Sequence, residues 1–135
     1  MSADISALNP STVWQVPQEF AAVYTHAAEV TLGSKLLFVS GQFGVRPDGH
    51  IPENFVDQAE QAMENIEALL AASDMSLSNL AKLNYYLTRS TDAPALVKLR
   101  AEKWGAASPP AVTVLTVSAL ARPEYLIEIE ATAVV

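Results

Sequence analysis

The stretch Ala107–Val117, ASPPAVTVLTV, sets a double proline against a run of β-branched and aliphatic residues. Proline lacks the N–H that a helix needs and pushes the residue before it toward extended backbone, so Pro109-Pro110 bar any continuing helix and a strand follows from Ala111. Upstream, Thr91-Asp92 precede Pro94 and Gly105 follows Trp104, which predicts a helix over that span. Downstream, after the turn residues ARPE, the segment YLIEIEATAVV alternates as a last strand.

The same punctuation runs backward along the chain. AKLNYYLTR (residues 81–89) alternates as a strand. From Phe55 the period is helical: Phe55, Ala59, Ala62, Met63, Ile66, Leu69 and Leu70 form one stripe, with Asn54 placed to cap it. RPDGHIPEN is turn chemistry. Before it, KLLFVSGQFGV reads as a central strand, with Leu37, Val39, Gly41 and Phe43 on one face and Leu36, Phe38, Ser40 and Gln42 on the other. AVYTHAAEVTLG (residues 22–33) reads as a first long strand, and residues 1–10 as a loose lead-in to a single domain spanning 1–135. The order β-β-α-β-α-β-β, with an optional short strand in front, is an α+β sandwich: one mixed sheet with two helices on one face.

In the last strand Ile127, Ile129, Ala131 and Ala133 pack under those helices, leaving Leu126, Glu128, Glu130 and Thr132 on the other face. Val112, Val114, Thr116 and Ser118 likewise share a face of the strand before, which reaches to about Leu120, with Arg122 in a hairpin between the two. A semi-polar sheet face with no helix over it must meet solvent or another subunit. The composition agrees: 50% of 135 residues are hydrophobic, and a chain this short buries only about two-thirds of its unfolded surface by folding alone.

Charge and residue usage exclude several functions. Eight Lys and Arg against 15 Asp and Glu give a net charge of −7, which repels a phosphate backbone, and no basic run makes a local exception. With no cysteine there is no disulfide, thiolate nucleophile or thiolate metal site. His26 and His50 are far apart in sequence and form no ligand motif such as HExxH, and a metal held by carboxylates alone has no support in the pattern, so none is expected. The start MSADISALNPSTVWQVP lacks the cationic and apolar regions of a signal peptide, and no apolar run approaches the ~20 residues of a membrane span, so the expectation is a cytoplasmic protein without membrane partners.

Five segments in order carry a resemblance: LLFVSGQ (36–42), QAMENIEALLAAS (61–73), LAKLNYYLT (80–88), SPPAVTV (108–114) and LIEIEATAV (126–134). Together the chain resembles the RidA/YjgF family from about Tyr24 onward. The resemblance implies a chorismate-mutase-like fold and a homotrimer whose sheets face a central barrel, with small pockets at the subunit clefts. It also implies a small-molecule metabolite as partner and hydrolysis of reactive 2-imino acids and their enamine tautomers to 2-keto acids and ammonia, without metal or organic cofactor. On the matching positions, the first glutamate of EIEA, Glu128, orients water, and Tyr24, Ser40, Gly41 and Gln42 line the cleft. An arginine that grips the substrate carboxylate in these deaminases stands directly after Pro-Ala; here that position is Val112. With Val114 beside it, this wall suits neutral or partly apolar ligands. Arg46, Arg89, Arg100 and Arg122 are the candidates to replace the anchor. Three functions stay open: a hydrolase using Glu128, a non-catalytic metabolite-binding trimer, and a ribonuclease, which the charge disfavours.

Overall fold

A computed structural model describes residues 4–31, 33–105 and 108–135. Residues 1–3 of the expected lead-in, Leu32 of the expected first strand and Ala107 of the proline stretch lie outside the described residues. The elements are β1 (Asp4–Leu8), β2 (Ala27–Thr31), β3 (Leu36–Phe43), α1 (Phe55–Ala72), β4 (Leu80–Leu87), α2 (Ala93–Trp104), β5 (Ala111–Thr116) and β6 (Ile127–Val134). Four strands form a mixed sheet in the order β3-β6-β4-β5, with β4 and β5 parallel and the other pairs antiparallel. The parallel pair is joined through α2, because a crossover needs far more chain than a tight turn supplies.

Helix α1 forms where its stripe predicts. Asn54 caps it, its side chain accepting the Asp57 N–H at 2.8 Å. Phe55, Ala59, Ala62, Met63, Ile66 and Leu70 are buried against β3 and β6, while Leu69 remains partly exposed. Leu96, Leu99 and Trp104 of α2 join the same core, where Leu83, Tyr85, Leu87, Ile127 and Ile129 form the sheet's floor. Among the described residues no helix packs on the opposite face of β6, as the alternation of Glu128, Glu130 and Thr132 with buried Ile127, Ile129 and Ala131 requires.

Four details of the sequence reading are corrected. Asp4–Leu8 of the expected lead-in is a strand, paired antiparallel with β2 through Ile5 opposite Val30 and Ala7 opposite Ala28. The first long strand starts only at Ala27, because Asn9 bonds both the Thr25 hydroxyl and the His26 N–H, and Thr25 bridges to Ala111 instead. β5 ends at Thr116 and does not form a hairpin with β6: β4 lies between them, so Arg122 sits in a crossing connection. Finally, the register of β3 against β6 shifts between Val39 and Gln42, which breaks the predicted alternation. Past this irregularity Gly41 and Phe43 face Glu128, whereas Val39 stays in the core.

Candidate functional site

The residues singled out in the sequence fall into three places. Glu128 and Gly41 share the helix-free face. Gly41 is what lets them approach: a Cβ there would lie 1.7 Å from Glu128 Oε1 and 2.5 Å from Cδ, so the carboxylate rests directly on the bare backbone. Next to it, Glu130 accepts hydrogen bonds from Asn84 Nδ2 at 2.9 Å and from the Tyr86 hydroxyl. That bond to Glu130, more than burial, raises the Tyr86 pKa and keeps its proton in place. Glu128 has no hydrogen-bond or ion-pair partner among the described residues. Partial burial, reinforced by the charge of Glu130, raises its pKa above the ordinary carboxylate value. A partnerless carboxylate that holds its proton more tightly than usual is equipped to take a proton from water.

Tyr24, Val112 and Val114 meet elsewhere. In the parallel register Val112 stands opposite Leu83 and Val114 opposite Tyr85, both core residues, so the two valines face the helix side rather than the open face with Glu128. There they line a cavity of about 340 Å³ with Trp14, Phe20 and Leu96 among its other walls. Among the described residues no charged side chain lines it, and the Tyr24 hydroxyl is the one side-chain acceptor in its walls. Ser40 and Gln42 belong to a third place, a depression between β3 and the end of α1 near Leu69 and Ser73. β3 and β5 are opposite edges of a four-stranded sheet, about 14 Å apart at the usual strand spacing. One protomer therefore cannot gather all seven residues around one small molecule.

None of the four candidate arginines lines the Val112 cavity. Arg89 pairs with Asp92 at 2.8 Å and Arg122 with Glu124 at 2.9 Å. Arg46 is exposed in the turn that its N–H closes on the His50 carbonyl. Arg100 is buried, its guanidinium 5.1 Å from the Trp104 ring, beside a Tyr85 hydroxyl whose pKa burial pushes up to about 12. Desolvation lowers the Arg100 pKa in turn.

Sequence reasoning missed Gln58. It is buried, its amide donating to the carbonyls of Pro52 at 2.8 Å and Glu124 at 2.9 Å while its oxygen accepts the Leu126 N–H at 2.8 Å. These bonds fix the entry to β6 two residues before Glu128, and the Phe43 ring stacks on Tyr125 with centroids 4.1 Å apart on the same approach. A glutamine on the apolar stripe of α1, three residues after Phe55 and four before Ala62, was the available signal.

The sequence profile described as endoribonuclease L-PSP matches residues 17–135. The chain belongs to this family, the RidA/YjgF family. Its fold is that of the solved RidA/YjgF members: the conserved Rid protein YyfB of Yersinia pestis superposes with a TM-score of 0.84 at 26% identity, covering 97% of this chain and 98% of that one. TdcF of Escherichia coli, solved with bound serine, gives 0.71 at 28% identity over 89% of this chain and 97% of that one. TdcF is named for deamination of reactive intermediates. HMF1 of Saccharomyces cerevisiae is 38% identical over 84 residues, and the match spans 62% of each chain. Among the described residues no helix is long and apolar enough to cross a membrane, and no cluster of three or more His, Asp or Glu could hold a metal ion.

Proposed function

We propose that the chain is a RidA-like hydrolase of small imines or enamines, in which Glu128 orients the attacking water. The observation that carries this reading is the partnerless Glu128 carboxylate seated on Gly41, its pKa raised, on a face no helix covers. Water adds through oxygen to the carbon of C=NH as Glu128 accepts its proton, and Glu128 then passes that proton to the nitrogen, which gives a neutral carbinolamine and restores the carboxylate. Collapse of the resulting carbinolamine breaks the C–N bond, releasing ammonia and leaving the carbonyl. The two halves of the site, Glu128 with Gly41 and Val112 with Val114 and Tyr24, lie on opposite faces of one sheet, so the proposed cleft forms where two copies meet. A homotrimer supplies three such clefts and covers the open face, whose Phe38 is 74% exposed.

The reading includes a departure from the deaminases of this family, with Val112 standing where their carboxylate-gripping arginine stands. A guanidinium–carboxylate pair in a partly dry pocket is worth about 3–5 kcal/mol, so anionic 2-imino acids lose roughly two to four orders of magnitude here. Ammonia release from freshly generated imines, compared between wild type and Glu128→Ala, tests the proposal; equal rates would remove Glu128 from the chemistry. The uncharged cavity favours one further reading, a trimer that binds a metabolite without transforming it, for which ligand-induced thermal shifts without ammonia release are the signature.

A further inference from the structure

The cavity behind Val112 has a chemistry of its own. At about 340 Å³ it is at the small end of ligand pockets and roughly twice the ~150 Å³ that holds a single benzene ring. Its walls are hydrocarbon and aromatic: Phe20 and Trp14 from the N-terminal segment, Leu96 of α2, and Val112 and Val114 of β5. Trp14 is 78% exposed at this wall, a large apolar surface left facing water. Among the described lining residues only the Tyr24 hydroxyl and the Trp14 indole N–H offer water a side-chain partner, the bare minimum of the two to four that hold an ordered water. No arginine or lysine among the lining residues offsets the desolvation of an anion.

We infer that this cavity seats the apolar group of a neutral ligand, a ring with a short chain carrying a carbonyl or imine, and discriminates against the matching carboxylate. The inference rests on the cleft reading above and names what its apolar half admits. Trp14 and Phe20 cover the ring, Val112 and Val114 form the wall that excludes charge, and Tyr24 supplies the one hydroxyl among the lining residues for the polar end.

The test is calorimetric titration of the full-length protein in its native assembly with 4-phenylbutan-2-one, 2-oxo-4-phenylbutanoate and acetone. The first two differ only by a methyl group against a carboxylate, and acetone lacks the ring. The neutral phenyl ketone is expected to bind about ten-fold or more tighter than the keto acid, with no measurable binding of acetone. Val112→Arg is expected to reverse the order, and Val114→Trp, at a position 45% exposed, to fill the cavity and abolish ketone binding without loss of the folded state. Equal or tighter binding of the keto acid by wild type, ketone binding unchanged in Val114→Trp, or no binding of either phenyl compound at millimolar concentration overturns the inference. Because a ketone is not hydrolysed, its binding is independent of turnover. Loss of imine turnover with ketone selectivity intact therefore bears only on the hydrolytic reading, and imine turnover without ketone selectivity refutes only the inference about the cavity.

Discussion

Two glycines three residues apart separate the positioning of Glu128 from the integrity of the fold. At Gly41 an added Cβ meets Glu128 Oε1 at 1.7 Å, Cδ at 2.5 Å and Cγ at 2.8 Å. All three belong to a flexible side chain on an open face, and the backbone φ is not positive, so the alanine itself is unstrained. The carboxylate must retreat by about 1.7 Å to regain ordinary contact distance, and misplacing a catalytic group by ~1 Å costs up to about 10²-fold in rate. Stability moves little, since alanine also restricts the unfolded chain, a gain of about 0.4–1 kcal/mol that offsets the repacking. At Gly44 the added Cβ instead meets the Gln58 carbonyl oxygen at 2.3 Å and Cα at 2.5 Å, helix backbone that cannot swing away. Gly44→Ala is therefore expected to cost about 3 kcal/mol of stability through overpacking. Urea unfolding midpoints and ammonia release from in-situ imines, measured on both variants, read the two effects apart. Gly41→Ala is expected to fold like wild type and turn over about 100-fold more slowly. Full turnover by Gly41→Ala would refute the positioning of Glu128, and its unfolding would show that the carboxylate is not the group that yields.

Further outcomes follow from the same geometry. Gln58→Leu strips the partners from Pro52 O, Glu124 O and Leu126 N, and is expected to lower stability by on the order of 3 kcal/mol, read as a drop in urea midpoint at unchanged slope. The folded state raises the Glu128 pKa above its ordinary value of 4.5, so it binds that proton more tightly than the unfolded chain does. Stability from this group is thus greatest below pH 4.5 and falls as pH rises to the folded pKa. Glu128→Gln removes the penalty, and its midpoint advantage over wild type should open across that window and stay constant above it. For the same reason imine hydrolysis is expected to rise with pH through the raised pKa, where the carboxylate becomes available as a base. Val112→Arg is expected to raise turnover of anionic 2-imino acids by about 10²-fold or more relative to wild type, measured by ammonia release. Native mass spectrometry is expected to give a trimer, and a monomer alone would remove the shared cleft.

Where the chain's periodicity was unbroken, it was a reliable guide. The stripe from Phe55 to Leu70, the Asn54 cap, the Pro94 start and Gly105 end of α2, and the alternation of Ile127–Ala133 all depend on neighbours a few residues away, and each is realised. So was Gln58 in principle, a polar residue on an apolar stripe. What the pattern could not carry was register. The irregularity between Val39 and Gln42 moves Gly41 onto the Glu128 face, and the parallel pairing of β5 with β4 turns Val112 and Val114 toward the helices. A period of two states which residues alternate, but a shift of one residue or a change of partner strand exchanges the faces, and that choice is made by contacts among segments distant in the chain. Residue chemistry alone therefore set the elements and the acidic charge, and the resemblance to the family named the candidate residues. Tertiary pairing decided that the carboxylate and the apolar cavity stand on opposite sides of the sheet.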